Sequence, residues 1–284
     1  MTPPKTIELQ SAVPPLAGLH WQGDGASKIL ALHGWLDNAA SFCQLAEHLE
    51  YADLYAMDFP GHGHSSHYSP GATYHFVDWV FSVSQMLAKL GGGPIDLVAH
   101  SMGAAVSSLF CGMFPDRIRK LVLIEGLAPL TEEPEKSPDR LSRHLQARMR
   151  SPRDPKPYPD KEAALAMRLK ATPMSEVGAR HIVERSLVAV DGGGFTWRSD
   201  KRLTLPSAIR MTEAQVISFL KRVTCPTLII KATSGLSFDP QLEKRLLNSL
   251  PQASATLETI DGGHHIHCDA PEECASIINN FLKT

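Results

Sequence analysis

The sequence has little excess charge and no long hydrophobic run. Twenty-eight lysines and arginines stand against 30 acidic residues over 284 positions, a formal net charge of −2. This near balance gives no reason to predict nucleic acid or an anionic membrane as a partner. The longest apolar runs are strand-sized, shorter than the roughly 20 residues of a membrane span, so no membrane span is predicted.

Cysteines and targeting signals are also sparse. The five cysteines are scattered and odd in number, which argues against a disulfide framework. Residues 1–10 lack a basic region followed by an apolar one, so no secretory signal is predicted. Together these absences favour a cytoplasmic location. The remaining composition, 43% hydrophobic over 284 residues, is ordinary for a globular protein with a sizeable core.

Short apolar runs alternate with helical patterns along most of the chain. Such alternation predicts an α/β fold with a doubly wound, mostly parallel sheet of about eight strands. The predicted strands cover residues 6–9, 16–21, 28–32, 53–57, 95–99, 120–124, 227–232 and 255–260. Ligands of such sheets collect at the carboxyl ends of the strands.

The alternation stops after the sixth strand. Residues 129–207 contain no strong strand candidate and carry polar helical patterns at 139–149, 161–169 and 175–187. We therefore expect a helical cap at 129–207, inserted into a core domain made of residues 1–128 and 208–284.

A serine lies between the predicted strand 95–99 and a helical pattern that begins at Ala104. Ala99 and Gly103, both small, stand two residues before and after Ser101. This spacing is typical of a nucleophile elbow, a strained turn that presents a serine hydroxyl at the end of a sheet. An ordinary turn with a serine at the helix start is the simpler alternative.

A serine hydroxyl needs an adjacent base, normally a histidine oriented by a carboxylate. His264 follows two glycines directly after the last predicted strand, so we predict that it is the base. The same stretch also suggests a metal site, formed by His264, His265, His267, Cys268 and Asp269. Its spacing matches no known zinc pattern, so neither a metal nor a cofactor is predicted.

Two residues compete for the role of the acid. Glu125 ends the sixth predicted strand and Asp239 follows the seventh, and both satisfy the chain order serine, acid, histidine. Residues 231–238 contain no carboxylate, and Asp239 precedes Pro240, where it could simply cap a helix. We prefer Glu125 and keep Asp239 as the alternative.

Backbone donors for a developing oxyanion are predicted at two turns. The amide of Met102 opens the helix after Ser101. The second donor is the amide of Trp35, in the His33-Gly34-Trp35 turn after the third predicted strand, where Gly34 permits close approach.

Four motifs in this order resemble those of the α/β-hydrolase superfamily. They are LHGW at 32–35, DFPGHGHS at 58–65, AHSMG at 99–103 and GGH at 262–264. HGWLDNA at 33–39 and SSHYSPG at 65–71 further resemble the serine hydrolase-like proteins. The resemblance implies Ser101 as nucleophile, His264 as base and backbone donors at Trp35 and Met102. It also fits Glu125, because some dehalogenases of the superfamily use a glutamate at that position.

The predicted function is hydrolysis of a carboxylic ester or related small acyl compound, through an acyl-enzyme on Ser101. A serine at the elbow argues against dehalogenase and epoxide hydrolase activity, which use aspartate there. The alternative is a catalytically silent member that binds or senses a small molecule in the same pocket. The sequence does not predict an oligomeric state.

Overall fold

The computed structural model describes residues 3–23, 27–50, 53–150, 156–236, 239–251 and 255–283. Eight strands form the main sheet: β1 (Lys5–Leu9), β2 (Leu16–Trp21), β3 (Lys28–Leu32), β4 (Asp53–Asp58), β5 (Ile95–His100), β6 (Ile118–Ile124), β9 (Thr227–Ala232) and β10 (Ala255–Ile260). Their spatial order in the sheet is β1-β2-β4-β3-β5-β6-β9-β10. The two remaining strands, β7 (Leu187–Ala189) and β8 (Phe195–Trp197), form a separate hairpin.

The sheet is parallel from β4 to β10, and β1 and β2 pair antiparallel at one edge. This confirms the predicted α/β fold and its mostly parallel sheet. Helices cover both faces, which explains why every residue of β5 is buried. The carboxyl ends of β5, β6, β9 and β10 therefore lie side by side at one edge.

The helices agree in position with the predicted patterns, but several ends differ. The helix after β4 begins at Asp78, whose carboxylate accepts a hydrogen bond from the amide of His75 and closes a turn ahead of the helix. The helices are α1 (Cys43–Ala46), α2 (Asp78–Lys89), α3 (Met102–Met113), α4 (Ser137–Arg150), α5 (Lys161–Ala171), α6 (Glu176–Ser186), α7 (Glu213–Leu220), α8 (Pro240–Ser249), α9 (Ile266–Asp269) and α10 (Pro271–Lys283). Within the described ranges, none of them is long and apolar enough to cross a bilayer.

Successive residues of β5 belong to two different apolar cores. Leu97 and Ala99 pack with residues of α2 and α3 on one face of the sheet. Val98 packs with residues of α1 and α10 on the other face. Because side chains alternate along a strand, one buried strand contributes to both layers and fixes the sheet between them.

Residues 129–207, which we call the cap segment, contain α4, α5, α6 and the β7–β8 hairpin. The hairpin was not predicted, because two strands of three residues are too short to show alternation. Three glycines with φ of +89°, +97° and +88° form its turn, at Gly192, Gly193 and Gly194. A small apolar cluster that includes Leu165, Val183 and Leu187 holds α5, α6 and the hairpin together. The described residues of the cap segment, 129–150 and 156–207, add no strand to the main sheet.

Candidate active site

Ser101 lies at the sharp turn between β5 and α3. Its φ of 50° and ψ of −113° are strained for a residue with a side chain. A Cβ at Gly103 would come within 2.2 Å of the carbonyl oxygen of Leu32, so only glycine allows α3 to begin this close to β3. Ala99 is fully buried at the other side of the turn. The local sequence thus forms the elbow that its small residues predict.

His264 connects Ser101 to Glu125. Its Nε2 lies 3.0 Å from Ser101 Oγ, and its Nδ1 lies 3.2 Å from Glu125 Oε2. A carboxylate only accepts hydrogen bonds, so Nδ1 carries the proton, and Nε2 is free to accept the Ser101 hydroxyl. The three residues are within hydrogen-bond distance because they follow β5, β6 and β10 at one edge of the sheet.

Glu125 adopts a left-handed backbone conformation directly after β6, with φ of 50°. Its buried carboxylate accepts hydrogen bonds from the amides of Ala232, at 2.6 Å, and Leu236, at 3.0 Å. Burial alone would raise the pKa of Glu125. The hydrogen bonds from His264 and the two amides outweigh burial and lower the pKa below the ordinary 4.5.

Asp239, the alternative acid, lies at the start of α8. Its carboxylate accepts a hydrogen bond from the amide of Gln241 at 2.9 Å, as an N-cap does. Residues 233–236, the described loop after β9, lie against Glu125 instead. A Cβ at Gly235 would lie 2.0 Å from Glu125 Oε2, so this loop approaches the carboxylate as closely as glycine permits.

The two predicted oxyanion donors lie at adjacent turns. Met102 is the first residue of α3, and the amide of Gly103 donates to the carbonyl of His33 at 3.1 Å, which joins α3 to the turn that holds Trp35. The Trp35 indole is 52% exposed and donates to the carbonyl of Leu203 in the cap segment at 3.3 Å. The backbone after β3 and the first turn of α3 thus lie side by side.

His33 holds its turn through both ring nitrogens. Its Nδ1 donates to the carbonyl of Gly34 at 2.7 Å, and its Nε2 accepts from the amide of Phe59 at 3.0 Å. Burial is the main cause that lowers the pKa of His33, so the ring stays neutral and can both donate and accept. His33 is therefore a structural support for the neighbouring backbone.

Three of the residues that suggested a metal site, His264, Cys268 and Asp269, have separate partners. His264 contacts Ser101 and Glu125, while the Cys268 thiol donates to the carbonyl of Ser41. Asp269 accepts from the amide of Ser175 at 2.7 Å.

A different group comes close enough to bind a metal. Asp37, His100 and His265 each offer one ligand atom, all within 4.8 Å of one another. Arg168 already donates to Asp37 at 2.7 Å and lies 3.1 Å from His265 Nε2. A guanidinium therefore supplies the positive charge that a metal ion would supply at these atoms.

Sequence reasoning did not identify Gly235 or Arg168. Gly235 has no motif around it, and its importance comes only from contact with Glu125. Arg168 lies in an ordinary polar helix pattern and meets Asp37 across 131 positions. Asp37 lies inside the recognised 33–39 motif, His100 lies in the 99–103 motif, and His265 was among the candidate metal ligands, but no sequence signal connected the three.

Comparison with known proteins is consistent with this architecture. A serine hydrolase-like protein of Danio rerio is 28% identical over 94% of this chain and 85% of its own length. A hypothetical protein of Pseudomonas aeruginosa PAO1 has a crystal structure with a TM-score of 0.90, 37% identity and complete coverage of both chains. A thioesterase domain of the curacin biosynthetic pathway, 23% identical over 99% of both chains, shares the fold with a TM-score of 0.88.

The family profile described as alpha/beta hydrolase fold matches residues 29–271, most of the chain. The fold and the relatives together support a hydrolase. On the sheet order, the elbow and this match, the chain belongs to the α/β-hydrolase family.

Proposed function

We propose that this protein is a serine hydrolase that cleaves a carboxylic ester or a related acyl compound, with Ser101 as nucleophile, His264 as base and Glu125 as acid. The observation that carries the proposal is the pair of contacts at His264, 3.0 Å to Ser101 Oγ and 3.2 Å to Glu125 Oε2. Glu125 is preferred to Asp239 because it reaches the histidine, whereas Asp239 caps α8.

In the proposed reaction, the Ser101 hydroxyl transfers its proton to His264 Nε2 as Oγ attacks the acyl carbon. The amides of Trp35 and Met102 stabilise the negative charge on the former carbonyl oxygen. His264 then gives its proton to the leaving oxygen, which departs as an alcohol. A water molecule, deprotonated by His264, attacks the acyl-enzyme and releases the acid and free Ser101.

A cavity next to Glu125 supports an acyl group with an apolar part. It has a volume of about 250 Å³ and lies between residues 126–131 and α8. Its apolar lining includes Leu127, Leu130, Leu236, Leu242, Leu246 and Leu247. Arg210, Lys231, Asp239 and Glu243 also line the cavity, so it combines an apolar surface for an aliphatic chain with charged groups.

Replacing Ser101 tests the mechanism. We expect Ser101→Ala to lower kcat on short p-nitrophenyl esters by at least about 10³-fold, because no nucleophile remains. Ser218→Ala is the matched control, since Ser218 is exposed and its hydroxyl donates to the nearby carbonyl of Gln215. Equal activity of wild type and Ser101→Ala would refute the mechanism.

A fluorophosphonate probe separates this proposal from a silent binding protein. Ser101 Oγ attacks the phosphorus and expels fluoride only if His264 accepts its proton. We expect one label per chain in wild type and none in Ser101→Ala. Ligand binding without labelling would instead favour the small-molecule sensor.

A further inference from the structure

A buried polar cluster lies beside His264, and one of its members comes from the cap segment. Arg168 Nη2 donates to Asp37 Oδ1 at 2.7 Å and lies 3.1 Å from His265 Nε2. Asp37 Oδ2 lies 3.0 Å from the same His265 nitrogen. The side chains of Arg168, Asp37 and His265 are only 12%, 2% and 4% exposed. A carboxylate only accepts hydrogen bonds, so His265 Nε2 donates to Asp37 and has no lone pair left for Arg168. The connection therefore runs from the guanidinium of the cap segment to Asp37, and from Asp37 to the residue after His264.

The charges in this cluster depend on one another. Burial alone would raise the pKa of Asp37, but the charge and hydrogen bond of His265 and the charge of Arg168 hold it well below the ordinary 3.8. Asp37 is thus an anion in a low-dielectric surrounding, where losing one partner leaves an uncompensated charge. Arg168 is consequently part of what keeps Asp37 and His265 in one arrangement.

The main chain at His264 is held from two sides. On one side, the side chain of the next residue, His265, donates to Asp37, which in turn accepts from Arg168. On the other side, His100 Nε2 donates to the carbonyl oxygen of His264 at 2.9 Å. His100 immediately precedes Ser101, so this hydrogen bond connects the elbow to the backbone that carries the base. The His264 ring can keep its distance to Ser101 only while this backbone stays in place.

We propose that Arg168 is a positioning residue: through Asp37 and His265 it orients the backbone of His264, so that a docked cap segment completes the geometry of the base. The inference rests on the proposed function of His264. Arg168 itself is not placed against the reacting atoms. Its effect is on the fraction of time that His264 Nε2 lies within reach of the Ser101 hydroxyl.

The cap segment has other connections to the core, so removing Arg168 does not detach it. Asn38 Nδ2 donates to the carbonyl of Ile182 at 2.9 Å, and the amide of Ser175 donates to Asp269 at 2.7 Å. Arg185 pairs with the buried Asp58 at 2.6 Å. The consequence of losing Arg168 is therefore expected at His264 rather than in the attachment of the cap.

The test compares Arg168→Met with Arg168→Lys in the full chain. The fluorophosphonate end point counts the competent sites, and ester hydrolysis is expressed per counted site. We expect Arg168→Met to keep close to one site per chain but to lose about 10- to 100-fold in kcat per site, as a displacement near 1 Å can produce. A lysine ammonium keeps the positive charge and can donate to Asp37, so Arg168→Lys should recover most of the rate. Arg180→Met, which removes an exposed cap ion pair with Glu162, is the control and should leave the rate unchanged.

A double variant separates positioning from stability. Asp37→Asn with Arg168→Met removes both charges, so it should regain the thermal stability that Arg168→Met loses while its rate per site stays low. The proposal is overturned if Arg168→Met retains its rate per site within about twofold. It is also overturned if the Lys and Met variants are equally impaired, or if the double variant recovers rate together with stability. Absence of labelling in wild type would instead refute the proposed function.

Discussion

Gly235 offers the sharpest test of Glu125 as the acid. A Cβ added there would lie 2.0 Å from Glu125 Oε2 and 2.4 Å from its Cδ, whereas ordinary contact begins at 3.4 Å. Gly235→Ala must therefore separate the loop and the carboxylate by about 1.4 Å. The backbone of Gly235 is not in the left-handed region, so alanine adds this steric conflict without strain of its own.

Either way of relieving the conflict weakens the support of His264. If the carboxylate moves, its 3.2 Å contact with His264 Nδ1 is lost. If the loop moves, the amide of Leu236 withdraws from Oε2. A misplacement of this size near reacting groups costs about 10²-fold in rate, or about 2.7 kcal/mol. We expect that loss in kcat on a p-nitrophenyl ester, with little change in KM.

Two further variants complete the experiment. Gly93→Ala is the control, because an added Cβ there meets no described atom within 4 Å and needs no left-handed backbone. Glu125→Gln should lower kcat by about 10³- to 10⁴-fold, because its amide can donate to His264 Nδ1 and favour the tautomer that cannot accept the Ser101 proton. A neutral amide also does not stabilise the imidazolium that forms. Combining Gly235→Ala with Glu125→Gln should add little, because both act on one group. A folded Gly235→Ala protein with kcat within about threefold of wild type would refute this reasoning.

Two other predictions concern stability. Asp239→Ala removes the N-cap of α8 and should lower the free energy of unfolding by about 1 kcal/mol, while kcat stays within about twofold of wild type. A 100-fold loss of kcat would instead indicate that Asp239 is the acid. His267 is fully buried, and burial, followed by the charge of His265, lowers its pKa to about 3. The contribution of neutral His267 to the free energy of unfolding is fully present above about pH 6.5. It is lost as the pH falls towards 3, because the unfolded chain binds a proton that the buried ring of the folded protein does not bind. We therefore expect the free energy of unfolding in urea to fall between pH 7 and pH 5 by about 2 kcal/mol more in wild type than in His267→Phe. Equal decreases in the two proteins would contradict this prediction.

Much of the fold was predictable because its signals are local. Burial on both faces makes β5 a continuous apolar run, and the small residues around Ser101 indicate a sharp turn within five positions. The glycines before His264 likewise indicate a turn after the last strand. These features depend on the chemistry of neighbouring residues, so they are visible without knowing what packs against them. The β7–β8 hairpin and the four-residue helix α9 were missed because such short elements carry no measurable period.

The carboxylate partner of His264 is a different kind of question. Glu125 and Asp239 both satisfy the chain order serine, acid, histidine. The placement of β6 beside β9, together with the left-handed backbone at Glu125, brings Glu125 to His264 across 139 positions. Arg168 likewise reaches His265 across 97 positions, from a helix whose pattern suggests only a polar surface. The sequence alone determined the elbow, the histidine and the alternation of strands and helices, because short-range sterics and burial dictate them. Tertiary structure decided which distant side chains meet, because that depends on the order of strands in the sheet and on how the cap segment docks.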